Sequence, residues 1–337
     1  MKYISTPRAV TTLTPQRLSF AGGGTDISSF YKNYGGAVLS TTIDKYIYVT
    51  VKKHSHLFKE NYRLSYYDSE HVDYIDEIKN DIARECLKLV PVDPPIYIST
   101  AADLPASSGL GSSSGFAVGL LNALHVIKGE SVSAGQLAEE ACYVEINMLE
   151  RPIGKQDQYA VAYGGLNFIQ FNENDRVNID PIWLQKNGSK LLFDNLMLFW
   201  TGYQRSSHTI LSSQQSNMNK KINELIKIKD MAFSFKELMI NKNELYIDQL
   251  ANLLNEGWKL KKTLSNEIST SSIDSQYDRA IKAGALGGKI AGAGGGGFLL
   301  LIVPPSDQKN VRNELKDLQE TPISYEPVGT RILSVVN

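Results

Sequence analysis

From Ala37 to Val51 apolar and polar side chains alternate. Ile43, Ile47, Val49 and Val51 interleave with Tyr46, Tyr48 and Thr50, the period of a half-buried strand. Tyr62 to Tyr67 predicts a second strand, and Val72 to Leu89 a helix that stops before Pro91. Pro94 and Pro95 mark a turn ahead of a short strand, Ile96 to Thr100. Val118, Leu121, Leu124 and Ile127 then recur at helical spacing across Phe116 to Ile127. Ser133 is suited to cap a further helix, Ala134 to Leu149, which Pro152 and Gly154 break. Gly164 and Gly165 lead into an apolar strand, Leu166 to Phe171.

Asn172 to Gly188 is polar and reads as a loop, and a domain boundary near its end divides the chain into 1–190 and 191–337. Beyond it come a buried strand, Leu196 to Trp200, and two long helical stretches, Ser212 to Ile240 and Glu244 to Glu267. A serine-rich loop, Ser269 to Ser275, precedes a helix ending near Ala285, then a glycine run, Gly287 to Gly297, and an apolar strand, Phe298 to Val303. A helix and a strand close the chain, and Trp200 and Trp258 are expected to pack in this second half. Strands and helices without regular βαβ alternation predict an α+β fold rather than a doubly wound one.

Composition narrows the function classes. The formal net charge is −1 over 337 residues, so no global basic field favours nucleic acid or an anionic membrane. Cys86 and Cys142 are the two cysteines and form no CxxC or Cys/His spacing, which argues against a disulfide framework or structural zinc and fits a cytoplasmic protein. The histidines show no metal-site spacing. Met1 to Val10 lacks the long apolar stretch of a signal peptide, and no apolar run approaches the length of a membrane span.

The candidate chemistry lies in glycine-rich segments. Pro105-Ala106-Ser107-Ser108-Gly109-Leu110-Gly111-Ser112-Ser113-Ser114-Gly115 runs directly into a helix. Glycines let the backbone approach an anion, and the N–H groups and dipole of a helix start favour phosphate. The serine hydroxyls add donors, and one of them is suited to a magnesium ion. No Gly-Lys-Ser/Thr ends the loop, so it is not a Walker loop, and it lacks the dinucleotide fingerprint. Two further clusters are Pro15-Gln16-Arg17-Leu18-Ser19-Phe20-Ala21-Gly22-Gly23-Gly24-Thr25-Asp26 and Lys289-Ile290-Ala291-Gly292-Ala293-Gly294-Gly295-Gly296-Gly297-Phe298. Either alone reads equally well as close backbone packing.

In order and separation these three clusters resemble the motifs of the GHMP kinase superfamily, which includes galactokinase and the homoserine, mevalonate and phosphomevalonate kinases. Within it, the first cluster, Gly154-Lys155-Gln156-Asp157-Gln158-Tyr159-Ala160 and Gly294 to Phe298 most resemble the D-glycero-D-manno-heptose 7-phosphate kinases. The resemblance implies an N-terminal domain like the second domain of ribosomal protein S5 and a ferredoxin-like C-terminal domain with added helices. It implies ATP and Mg²⁺ as cofactors and a sugar phosphate as substrate, phosphorylated at its anomeric hydroxyl to a heptose 1,7-bisphosphate for nucleotide-activated heptose and surface polysaccharide synthesis.

Residue roles follow from the same likeness. Asp157 matches the catalytic carboxylate and Arg17 the arginine paired with it. Pro105, Ser107, Ser108, Gly109, Leu110, Gly111, Ser112, Ser113 and Ser114 match the nucleotide loop. Ser113 and Glu145 match the Mg²⁺ pair. Gly23, Gly24, Thr25, Asp26, Lys155, Gln156, Gly202, Arg205, Gly294 and Gly295 are the expected substrate contacts, with Lys155 and Arg205 as cations for a substrate phosphate and Lys289 a weaker candidate. Gly23 and Gly24 stand where galactokinase has Glu and His, which implies a roomier sugar pocket.

Three other readings share some of these features. An L-fucose kinase would use a different glycine stretch. A non-catalytic sugar or ATP sensor of the same fold would not need Arg17, Glu145 and Asp157 together. A decarboxylase of the isoprenoid branch is disfavoured by the Gly154–Gln158 pattern.

Overall fold

The computed structural model describes residues 7–184, 187–204, 210–213, 216, 220–240 and 247–337. A long strand opens it, β1 (Ala9–Ala21), followed by α1 (Ser28–Tyr34) and β2 (Gly36–Lys53). β1 and β2 pair antiparallel from Ala9↔Lys52 to Ala21↔Leu39, with irregularities after Pro15 and Ser19. β1 has no sequence alternation because it is buried nearly throughout, its polar residues included. Thr12, for example, donates its hydroxyl to the Gly119 carbonyl at 2.9 Å.

β3 (Tyr62–Ser65) and β4 (Ser69–Val72) form a hairpin. The helix expected from Val72 therefore starts later: α2 is Asp81–Leu89, capped by Asn80, whose side chain accepts from Ala83 N at 3.0 Å. β5 (Ile96–Ala102) leads through the serine-glycine loop into α3 (Ser112–Lys128). Gly115 and Gly119 each disfavour that helix by about 1 kcal/mol. Fully buried Val118, Leu121, Leu124 and Ile127 outweigh this, at about 1.5–3 kcal/mol apiece. Ser133 caps α4 (Ala134–Cys142) as expected, and the helix passes into a π turn, Tyr143–Met148, before α5 (Gln156–Tyr163).

β6 (Asn167–Phe171) pairs with β2, and a strand inside the expected loop, β7 (Val177–Pro181), pairs with β6. α6 (Gly188–Asp194), β8 (Leu196–Trp200), α7 (Ile222–Ile240) and α8 (Ile247–Lys262) follow. Parts of the two helical stretches expected over Ser212–Ile240 and Glu244–Glu267 lie outside the described residues. The serine-rich stretch is the start of α9 (Ser271–Lys282) rather than a loop, because Thr270 caps it with a bond from Ile273 N at 3.3 Å. β9 (Gly287–Ile290), β10 (Phe298–Ile302), α10 (Gln308–Glu314), β11 (Gln319–Glu320) and β12 (Arg331–Val336) complete the chain.

One sheet runs β12-β1-β2-β5-β3-β4, with β6 and β7 attached to β2, and the other runs β11-β8-β10-β9. The final strand thus returns to the first sheet, Ala9 facing Val336. Trp258 is fully buried in the second half, and Trp200 meets Phe298 edge-on at 5.0 Å. Among the described residues no helix is long and apolar enough to cross a membrane.

Candidate active site

β1 carries Arg17 into the interior, where it is 3% exposed. Its guanidinium grips Asp157 with two parallel bonds, Nε to one carboxylate oxygen at 2.7 Å and a terminal nitrogen to the other at 2.6 Å. Such a fork fixes geometry as well as charge. The other terminal nitrogen donates to the Gly109 carbonyl at 2.6 Å, and Arg17 N donates to Leu110 O at 3.0 Å. One arginine therefore links a strand, the serine-glycine loop and the first turn of α5. Asp157 sits in that first turn, where the helix dipole favours a carboxylate.

The loop turns into α3 at Gly111, whose left-handed backbone (φ 79°) caps the helix. Ser107, Ser108, Gly109, Gly111, Ser112, Ser113 and Ser114 line a cleft with Arg17, Asp26 and Asp157. Leu110 points away and is buried in the core, and Pro105 is not on the cleft wall.

Beneath the loop lies Glu145, held by the π turn and fully buried. Its carboxylate accepts from the Ser113 hydroxyl, from the Ser114 hydroxyl at 2.6 Å, from Gln158 at 2.7 Å and from Arg151 at 3.2 Å. Burial pushes its pKa up, opposed by the serine bonds and the Arg151 charge. Arg151 is itself clamped to Asp81 by bonds of 2.9 and 2.8 Å. The Ser113 hydroxyl and the Glu145 carboxylate are hard oxygen donors in contact, one facing the cleft, and fit a magnesium ion that keeps water and phosphate ligands.

Asp26 ends the turn after β1 and is 2% exposed. Its carboxylate accepts from Gly24 N at 2.9 Å and Gln156 N at 3.0 Å. Burial raises its pKa, and these backbone bonds oppose the rise. Gly154 makes this approach possible, since a Cβ there would stand 1.9 Å from a carboxylate oxygen of Asp26.

Gly23, Gly24, Gln156 and Gly294 also line the cleft, but other expected contacts do not. Thr25 spends its hydroxyl on the Gly22 and Ala37 carbonyls, at 2.8 and 3.0 Å. Gly295 bonds Ile268 O at 2.7 Å, and Gly202 is not among the lining residues. Lys155 turns to Asp175 at 3.0 Å and lies over the Tyr31 ring. Arg205 lies outside the described residues.

Sequence reasoning missed Ser19 and Lys261, both on the cleft wall. The Ser19 hydroxyl and the Gln156 carbonyl oxygen are buried without a hydrogen-bond partner beside Gly23. A buried orphan of this kind is costly unless a ligand satisfies it. Assigning β1 as a strand would have pointed to Ser19, two residues from Arg17 on the same face. Lys261 ends the buried stripe Leu250, Leu254, Trp258 of α8, a signal legible in the helical period.

Comparison with known proteins agrees with this geometry. Residues 73–165 match the family model "GHMP kinases N terminal domain", and residues 236–320 match "GHMP kinases C terminal". The chain belongs to the GHMP kinase superfamily and is a kinase, a phosphotransferase with an alcohol group as acceptor. It is 31% identical over 323 residues to the D-glycero-alpha-D-manno-heptose 7-phosphate kinase of Campylobacter jejuni, covering 93% of this chain and 94% of that protein. It is 23% identical to the galactokinase of Pyrococcus furiosus over 85% of this chain and 86% of that one. A crystal structure of a D-glycero-D-manno-heptose 1-phosphate kinase from Bacteroides thetaiotaomicron superposes with a TM-score of 0.78 at 26% identity, over 97% of this chain and 100% of that one.

Proposed function

We propose that the chain transfers the γ-phosphoryl group of ATP to the anomeric hydroxyl of D-glycero-D-manno-heptose 7-phosphate, giving the 1,7-bisphosphate. The observation that carries this reading is the Arg17–Asp157 fork in a cleft walled by Gly23, Gly24 and the unpartnered oxygens of Ser19 and Gln156. Likeness to a heptose 7-phosphate kinase along nearly the whole chain supports the choice of sugar. Two adjacent glycines leave room for a seven-carbon sugar, and the orphaned oxygens are suited to its hydroxyls.

In this reading the nucleotide phosphates lie on the Ser107–Ser114 loop. Ser113 and Glu145 hold Mg²⁺, which supplies charge neutralisation at the phosphates when bound. Asp157 orients the acceptor hydroxyl and accepts its proton as the oxygen–phosphorus bond forms. Arg17 fixes the carboxylate for that task. Asp26, already holding its turn, faces the sugar with its remaining lone pairs. The resemblance offers Lys155, and Arg205 by sequence alone, as cations for the phosphate carried by the sugar. Lys155 reaches it by leaving Asp175, a partly exposed pair whose loss costs on the order of 1 kcal/mol or less. The product would serve nucleotide-activated heptose synthesis in the cytoplasm.

A coupled ADP-release assay with ATP and Mg²⁺ tests the reading. Heptose 7-phosphate, heptose 1-phosphate, sedoheptulose 7-phosphate, L-fucose, galactose and mevalonate would be compared. Selective turnover of heptose 7-phosphate is expected. Preference for the 1-phosphate would reverse the position of transfer, and turnover of only an unphosphorylated sugar would remove the phosphate site. Binding of ATP and sugar without ADP release would make the protein a sensor.

A further inference from the structure

Two lysines are buried in the wall of the cleft, and among the described residues neither forms an ion pair with a carboxylate. A buried ammonium without a counter-charge costs several kcal/mol, so each requires an explanation. Lys289 on β9 has one in the fold. Its Nζ donates to Ser19 O at 2.9 Å and Phe20 O at 3.3 Å, tying one sheet to the other.

Lys261 does not. It ends the buried stripe of α8, is 8% exposed, and donates to a single acceptor, the Gly292 carbonyl. An ammonium has three donors, so two face the cleft without a protein acceptor. The charged groups around it are Arg17 from β1, Asp26 from the turn after β1, Asp157 from α5 and Lys289 from β9. Gly292 in turn rests on Gly109 of the phosphate loop. Lys261 therefore shares the cleft with that loop and with the Arg17–Asp157 pair, and touches the glycine on which the loop rests.

We propose that the Lys261 ammonium contacts the γ-phosphoryl group of ATP during transfer and is a catalytic residue of this kinase. The inference rests on the kinase assignment and not on the identity of the sugar. In the step, the acceptor oxygen bonds to the γ-phosphorus and the bond from that phosphorus to the β,γ-bridging oxygen breaks. The electron pair leaves with ADP and the hydroxyl proton goes to Asp157. Lys261 keeps its proton and stabilises charge on the equatorial oxygens, which a dry site makes effective. Its contact with Gly292, which rests on Gly109 of the loop, favours this phosphoryl. Burial, and next the Arg17 charge, push its pKa down to about 8, so the required ammonium is lost in mildly alkaline solution.

The test uses the full chain and Lys261→Met and Lys261→Arg variants. Calorimetric titration compares ADP with β,γ-imido-ATP in Mg²⁺ and needs no sugar, so failure of the heptose reading leaves it intact. Lys261→Met is expected to lose at least tenfold in affinity for the triphosphate and less than twofold for ADP. With whichever acceptor sustains turnover, its kcat falls about 10²–10³-fold at an acceptor KM within threefold of the parent. The parent's kcat/KM for ATP declines above about pH 8, where the unliganded Lys261 loses its proton, and Lys261→Arg, which keeps its charge, loses that decline. Equal losses for ADP and triphosphate, an unchanged kcat, or a raised acceptor KM with triphosphate affinity intact would each overturn the proposal. Should Lys261→Met not fold, the alkaline limb of Lys261→Arg decides: if it persists, the proposal falls.

Discussion

Gly292 lies against Gly109 so closely that a Cβ on Gly292 would stand 2.6 Å from the Gly109 Cα. Gly292 also has φ +69°, a backbone region that other residues enter at a cost. The last glycine run is therefore the support on which the phosphate loop rests. Gly292→Ala is expected to displace the loop, to cost about 1–3 kcal/mol of stability and to weaken ATP binding at least tenfold. Thermal unfolding and calorimetry check this, and unaltered ATP affinity would detach the run from the loop's geometry.

Removing the Asp157 carboxylate tests its proposed role as proton acceptor. Asp157→Asn keeps one oxygen for Arg17 but sets an amide N–H against its other donor, so it should lose about 1–3 kcal/mol of stability while kcat drops about 10²–10⁴-fold. Arg17→Ala leaves Asp157 and the Gly109 carbonyl without their donor, and should lose about 1–3 kcal/mol of stability as well as activity. The double variant should be little slower than either single one, because the pair acts as a unit. Additive losses in kcat would mean separate roles.

Glu145 offers a test of the Mg²⁺ assignment. Ser113 and Ser114 bond different oxygens of Glu145, so Glu145→Gln keeps an acceptor for one of them and removes the negative charge. The Mg²⁺ concentration for half-maximal activity should rise at least tenfold, with acceptor KM unchanged. A Mg²⁺ dependence identical to the parent's would exclude the carboxylate from the metal site.

Lys155→Met separates the two phosphate positions. Loss of its exposed pairing with Asp175 should barely move stability, within about 0.5 kcal/mol. The acceptor KM should rise roughly tenfold, the effect of one charge-assisted bond, while kcat holds. An unchanged KM would assign this ammonium to Asp175 alone.

Lys261 also has a signature in the unliganded protein. Its folded pKa, about 8, lies below the unfolded value, so between the two the unfolded chain binds more protons and stability rises with pH. Lys261→Met removes the buried charge and should therefore be more stable than the parent at pH 7, by an amount that shrinks from pH 8 to pH 10. Differential scanning fluorimetry across that range reads the difference directly. A variant less stable at every pH would show that the lysine's packing outweighs its charge.

The serine-glycine loop ahead of α3 was legible in the sequence because its signal is local, consecutive glycines and serines feeding a helix start. The same holds for Ser133 as a cap and for the strand Leu196–Trp200, whose signals lie within a few residues. β1 escaped because Thr12, Thr14, Arg17 and Ser19 are polar yet buried, which erases the alternation that marks a strand. The Val72 helix was placed too early because Ser69–Val72 pairs with a preceding strand, and Thr270 had to cap a helix inside a stretch that looks like a serine loop.

What the sequence determined by itself was the family, the α+β class, and the residue types at the centre of the site. The tertiary structure decided which of them share a cleft. It joined Arg17 to Asp157 across 140 positions of chain, placed Glu145 under the loop rather than in the open, and turned Lys155 to Asp175 while turning Lys261 into the cleft. The reason is physical. Local motifs depend on backbone conformations that neighbours in sequence dictate, whereas the environment of a charge depends on which distant elements exclude water from it.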